Sequence, residues 1–219
     1  MLTDNPEFLK LRELMVSEQI ERRGITSINV LNAMRAVPRH LFVAQKLLNE
    51  AYADYPLPIG LNQTISQPYI VALMTDALGL KSHHKVLEIG TGCGYQSAVL
   101  AEIAAQVYTI EILPELAKRA DNILQNLGYR NIHGKCGDGL TDWAEQAPFD
   151  RIIVTAAPLN LPLELLKQLT FDGCMVIPFG SYSQDLYRII RKSNNQIEQQ
   201  RLVPVRFVAM TGKVEKTTV

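Results

Sequence analysis

The strongest constraint on the fold is a strand that runs straight into a glycine turn and then a helix. Val86-Leu87-Glu88-Ile89 is a short apolar run. It is followed at once by Gly90-Thr91-Gly92-Cys93-Gly94-Tyr95, and Ser97 to Ala105 then reads as a helix. From there the alternation continues. Val107–Ile110 is a strand, Pro114–Leu127 a helix closed by Gly128, and Asn131–Cys136 a strand. Arg151–Thr155 is a strand, a helix lies near Pro162–Leu169, and Cys174–Ile177 is a strand. Strands separated by helices and short connections predict parallel βαβ units in an open sheet with helices on both faces. The tail breaks the rule: Leu186–Arg191, Ile197–Leu202 and Val205–Met210 are three strand-like runs with no helix between them, which predicts an antiparallel end to the sheet.

The first eighty residues are helical in pattern. From Glu7 to Arg23, Phe8, Leu11, Met15 and Ile20 fall on one face, and Gly24 is the stop. A second helix spans about Ser27–Ala36 and ends before Pro38. A third starts at Pro68 and closes at Gly79. Two prolines and a glycine in Tyr52–Gly60 predict no regular element there. With 47% hydrophobic and 20% charged residues, the 219-residue chain fits one domain, residues 1–80 forming a helical layer on an α/β core of residues 81–219. No apolar run approaches the ~18 residues of a membrane span. The N-terminal Met1–Glu7 carries acids and a proline where an export signal needs basic residues, which predicts a cytoplasmic protein with no membrane partner. Twenty-two Lys+Arg against 22 Asp+Glu leave no basic excess for a nucleic-acid partner.

Three residues at successive strand ends suggest a ligand site. The glycine loop lets a ligand approach the backbone ahead of a helix N-terminus. Its spacing is GxGxG, not the GxGxxG of dinucleotide sites. Glu111 lies 21 residues after Gly90 at the end of the second core strand, where a carboxylate accepts both ribose hydroxyls of a nucleoside. Asp138, between Gly137 and Gly139 after the third, is placed to accept from an adenine amino group. The carboxyl edge of an open sheet is where ligands bind, so the set describes an adenosine site without a pyrophosphate cradle.

Other machinery is missing. There is no GxxxxGK[ST], HExxH or GxSxG. His40, His83, His84 and His133 share no ligand spacing with Cys93, Cys136 and Cys174, so no metal is expected and the cysteines read as reduced thiols. Gln63-Thr64-Ile65-Ser66-Gln67-Pro68 is polar ahead of an apolar helix. Its local reading leaves two roles for Ser66, helix cap or site residue.

Several segments, in order along nearly the whole chain, resemble the protein-L-isoaspartate O-methyltransferase family. They are Val37-Pro38-Arg39-His40, Pro56–Gly60, Gln63–Tyr69, Val86–Gln96, Pro148–Pro158 and Val205-Arg206-Phe207-Val208. The glycine loop is shared by many methyltransferases, and the Thr64-Ile65-Ser66 segment is the specific part. The resemblance implies a Rossmann-like, doubly wound methyltransferase fold. It implies S-adenosyl-L-methionine as methyl donor and age-damaged proteins and peptides containing L-isoaspartate as partners. It implies Ser66 as the active-site residue with Thr64 and Ile65 in the same pocket. Gly90, Thr91 and Gly92 would lie along the methionine part of the donor, Glu111 at its ribose, and Asp138, Gly139 and Leu140 at its adenine. The chain departs from the family pattern at Cys93, Leu140 and Ala209, and none of these departures removes a group assigned to chemistry. A same-fold methyltransferase acting on a small molecule or RNA, and a non-catalytic S-adenosylmethionine binder, stay open at this point, and the sequence is silent on oligomeric state.

Overall fold

The computed structural model describes residues 5–192 and 196–213, so the N-terminal expectation at residues 1–4 lies outside the described residues. Seven strands form one sheet: β3 (Lys85–Ile89), β4 (Gln106–Glu111), β5 (Ile132–Cys136), β6 (Phe149–Val154), β7 (Leu169–Phe179), β8 (Gln184–Arg191) and β9 (Ile197–Val205), in the order β5-β4-β3-β6-β7-β8-β9. β3 to β7 are parallel, and β8 and β9 add antiparallel. This is the Rossmann-like, doubly wound sheet that the resemblance implies, with its antiparallel end. The chain steps outward from β3 through β4 to β5, then returns to the other side of β3 as β6. That reversal opens a crevice above the carboxyl ends of the central strands.

The helices follow from their caps and stripes. α1 (Pro6–Leu14) starts with proline at its first turn, and the Asn5 side chain accepts from the Phe8 amide at 2.9 Å. The helical path then widens to a π turn at Met15–Ile20 and tightens to a 3₁₀ turn at Glu21–Arg23. Gly24 closes it at φ 95°. The widening coincides with Met15, Val16 and Ile20 all reaching full burial. α2 (Ile28–Ala36) and α3 (Pro68–Leu78) match the pattern. α4 (Tyr95–Ala101) begins two residues before the expected helix and stops earlier, because residues 102–105 are needed for the turn into β4. α5 (Pro114–Asn126) and the short α6 (Leu163–Lys167) complete the set.

α4 is buried along its whole length because the N-terminal layer covers it. Met15, Val30, Leu31 and Met34 share a core with Ala98 and Val99 of α4 and with Leu116 and Leu124 of α5. A second core, on the opposite face, joins Leu87, Ile89, Ile152 and Val154 to Leu165 and Leu166.

Two expectations need correction. Leu57–Gly60, expected to be irregular, forms β1 and pairs antiparallel with β2 (Gln63–Ile65). Proline is tolerated because each strand of a two-stranded ribbon keeps one unbonded edge. Leu61 and Asn62 both take left-handed conformations, φ 51° and 58°, the signature of a type I′ hairpin turn. The expected strand Val205–Met210 does not form. β9 ends at Val205, and past it only Ala209 makes an isolated bridge, to Ala157. The backbone is satisfied elsewhere. The Gln184 amide bonds both the N–H and the carbonyl of Phe207, at 2.6 and 3.2 Å. Ala157 donates to the Val208 carbonyl at 2.8 Å and accepts from Met210 at 2.9 Å. The segment therefore leaves the sheet and crosses to the end of β6.

Candidate active site

The glycine loop is held from below and from both sides. The amides of Gly90 and Thr91 donate to the Ile110 carbonyl at 2.8 and 3.2 Å. The Thr155 hydroxyl, at the end of β6, lies 2.7 Å from the Gly90 carbonyl and 3.0 Å from that of Ile89. Gly90 has φ 95°, and a Cβ there would overlap this pinned hydroxyl, so glycine is required twice over.

Beneath the loop is a buried polar chain. Glu88 is fully buried on β3; its Oε2 accepts from Ser97 and from Thr109, the latter at 2.7 Å. The Thr109 hydroxyl lies 2.6 Å from that of Thr91 in the loop. Burial, with a smaller contribution from the Glu111 charge, outweighs the two hydroxyl bonds and pushes the Glu88 carboxyl up to about 7. The adjoining Cys93 thiol is pushed by burial up to about 11, which leaves it protonated and inert.

Glu111 is nearly buried and oriented by backbone. Its Oε2 accepts from the Gly92 amide at 2.8 Å and its Oε1 from the Leu113 amide at 3.0 Å. Each oxygen keeps further lone-pair capacity, so the carboxylate presents two aligned acceptors at the strand end.

One cavity brings together Thr64, Ile65, Ser66, Gly90, Thr91, Gly92, Glu111 and Gly139. Asp138 and Leu140 are not among its lining residues. The Asp138 carboxylate accepts from the Leu140 amide at 3.0 Å and from the Lys213 amide at 2.8 Å, organising the turn after β5 and holding the C-terminal segment. Leu140 is buried against Ile89 and Ile110 in the second core. The cavity also includes residues the sequence reading did not assign to the site: Ile112, Thr155, Ala156 and the run Ala209-Met210-Thr211. Thr155 and Ile112 sit at or just past strand ends, so the edge rule that found Glu111 also covers them. The Ala209–Thr211 run carries no local signal, because its approach depends on the bridge to Ala157.

A second, more open groove adjoins the cavity. Thr64, Ser66, Thr155 and Val208 line both, and the outer walls are Pro56, Ile70, Pro204 and Phe207. Ser66 therefore stands at the junction. The cap role does not hold: Gln67 occupies the N-cap position of α3 with no side-chain cap bond, and its own amide donates to Asp54 at 2.9 Å. The Ser66 hydroxyl makes no hydrogen bond among the described residues.

The residues fit S-adenosylmethionine. Glu111 supplies paired acceptors for ribose hydroxyls, the glycine loop offers open backbone, and Ile110, Ile112 and Met210 provide apolar surface beside them. Among the described residues no group of three or more His, Cys, Asp or Glu is placed to hold a metal ion. No helix among them is long and apolar enough to cross a membrane.

Residues 10–215 match the family model for protein-L-isoaspartate(D-aspartate) O-methyltransferase. A protein-L-isoaspartate O-methyltransferase of Picosynechococcus sp. is 54% identical over 202 residues, covering 92% of this chain and 90% of its own length. Its counterpart in Dictyoglomus thermophilum is 51% identical over 211 residues, covering 96% and 95%. Among solved structures, one described as a Plasmodium falciparum protein-L-isoaspartate O-methyltransferase in complex with S-adenosyl-L-homocysteine superimposes with a TM-score of 0.79. It is 26% identical and covers 91% of this chain and 98% of its own.

Proposed function

We propose that this chain, which belongs to the protein-L-isoaspartate(D-aspartate) O-methyltransferase family, methylates the free carboxylate of L-isoaspartyl residues in proteins and peptides by alignment rather than by acid–base or covalent catalysis. The observation that carries this is the Ser66 hydroxyl, unpartnered where the donor cavity meets the open groove.

S-adenosylmethionine, when bound, supplies a sulfonium-activated methyl group. The acceptor carboxylate, with a reference pKa near ~3.5, is already ionised at neutral pH, so the chain has no proton to remove. Methyl transfer joins an anion to a cation and disperses both charges, so a strong cation on the carboxylate would hold back the ground state. A neutral hydroxyl avoids that penalty. Ser66 donates to one carboxylate oxygen and leaves the other free to attack. Alignment of this kind supplies ~7–11 kcal/mol in favourable cases. Glu111 holds the ribose, Gly90, Thr91 and Gly92 lie along the methionine part, and Thr64 and Ile65 close the pocket beside Ser66. Gly139 borders the adenine. Asp138 and Leu140 act there through the turn they build and the segment Asp138 holds. The backbone nitrogen of the following residue then attacks the methyl ester and expels methanol, closing a succinimide without further help from the enzyme, and hydrolysis returns part of it to normal aspartate. The substrates are age-damaged proteins and peptides, not nucleic acid, in keeping with the balanced charge of 22 against 22. The cytoplasm as location is supported by the three free thiols Cys93, Cys136 and Cys174.

A labelled-methyl assay on an isoaspartyl peptide, its aspartyl twin and bulk RNA tests the proposal. Base-labile label on the isoaspartyl peptide alone is expected. Label on RNA, or none on any acceptor despite donor binding, contradicts it.

A further inference from the structure

The open groove that meets the donor cavity at Ser66 has a single charged side chain among its lining residues, Arg206. Apart from the Thr64 and Ser66 hydroxyls, its other walls are apolar or already engaged. Pro56, Ile70, Pro204, Val205 and Phe207 carry no charge, and the Gln67 amide is bonded to Asp54. The neighbouring cations have partners: Arg23 pairs with Asp54 at 3.1 Å and Arg201 with Asp185 at 2.7 Å. Arg206 is exposed and has no hydrogen bond or ion pair among the described residues.

The guanidinium is also presented from a fixed backbone. On one side Val205 is paired with Gln184 in the sheet. On the other, the amide of the same Gln184 clamps both backbone groups of Phe207. An unpaired cation on a firmly held segment, in an otherwise uncharged groove, gives that groove a positive potential. The acceptor's isoaspartyl carboxylate is directed to Ser66 at the inner end. On that assignment the residues flanking it in the peptide would lie along the groove that Arg206 lines.

Resting on the acceptor assignment above, we infer that Arg206 sets sequence preference among damaged sites. It favours an isoaspartyl residue flanked by aspartate or glutamate and disfavours one flanked by lysine or arginine. Its effect is on kcat/KM, through encounter and binding of the acceptor, while the methyl-transfer geometry stays with Ser66. An exposed ion pair is a modest interaction, and replacing attraction by repulsion doubles its leverage. A glutamate-flanked peptide is expected to exceed its lysine-flanked twin by roughly three- to tenfold in kcat/KM at low salt. The preference shrinks as added salt screens the exposed charge.

The test is a set of isoaspartyl peptides identical except for glutamate, alanine or lysine beside the isoaspartyl residue, assayed with the wild type, Arg206→Ala, Arg206→Lys and Arg206→Glu. The readout is the ratio of kcat/KM between glutamate- and lysine-flanked peptides, which is independent of the amount of folded enzyme. The wild-type preference should persist in Arg206→Lys, fall to about twofold or less in Arg206→Ala and invert in Arg206→Glu. A wild-type ratio near one, or an unchanged ratio in Arg206→Ala and Arg206→Glu, overturns the inference while leaving the acceptor assignment standing. Absence of methyl transfer to every peptide in the set overturns the acceptor assignment and this inference with it.

Discussion

The donor and acceptor sides of the site are built in opposite ways. On the donor side nearly every polar group has an internal partner: Glu111 takes two backbone amides, Thr155 lies against two carbonyls, and Glu88, Ser97, Thr109 and Thr91 form one chain. On the acceptor side the decisive groups are unengaged. Ser66 and Arg206 have no partner among the described residues, and both stand on segments outside the parallel core. The difference matches the ligands. A donor of fixed shape is bound by a pre-organised cradle. A damaged residue in many different sequences is met by a few free groups on an open surface.

The comparison predicts where substitutions act. The largest effect belongs to Gly90→Ala. A left-handed φ and overlap with the pinned Thr155 hydroxyl add to roughly 2–4 kcal/mol. A lowered melting temperature together with lost donor binding by calorimetry is expected. A stable variant with normal donor affinity would show the cradle to be looser than described.

Next is Glu111→Ala. Losing the charge-assisted contact to the ribose should weaken donor binding by roughly 1.5–3 kcal/mol, read by calorimetry with S-adenosylhomocysteine. Asp138→Ala should cost less, roughly 0.5–1.5 kcal/mol, because its carboxylate acts through the amides of Leu140 and Lys213, which water also solvates. Equal losses in the two variants would place the Asp138 carboxylate directly on the donor.

Another prediction is a slope and not a single loss. Burial raises Glu88 from 4.5 to about 7, so between those values the folded protein holds a proton that the unfolded chain releases. Stability therefore falls as pH rises through that window and levels off above about 7. Glu88→Gln should flatten the pH dependence of the melting temperature between 4.5 and 7, and an unchanged slope would assign it to another group.

The same contrast explains what the sequence revealed. The donor side is built by local rules, a glycine turn after a strand and acids at strand ends, so Gly90, Gly92 and Glu111 are legible from the chain alone. Asp138 is legible as a residue, but its engagement with Lys213 depends on a segment 75 positions away. The acceptor side depends on long-range placement. The β1–β2 hairpin is hidden by two prolines that a central strand would not tolerate. The Val205–Met210 run looks like a strand because it is short, apolar and rich in valine and phenylalanine, yet Gln184 and Ala157 take the hydrogen bonds that would have extended the sheet. Without the family resemblance, Ser66 is visible only as a polar residue before a helix. Its exclusion from the cap, which Gln67 occupies, is a fact of geometry.

The central claim is that Ser66 orients the acceptor carboxylate and does nothing else. Single-turnover methyl transfer to an isoaspartyl peptide by Ser66→Ala, with a melting curve and donor affinity on the same preparation, tests it most directly. A misalignment of ~1 Å costs up to 10²-fold in rate. The expected result is a rate lowered on the order of ten- to a hundredfold with melting temperature and donor affinity unchanged. A normal rate with a lowered melting temperature would contradict the claim and return Ser66 to a structural role.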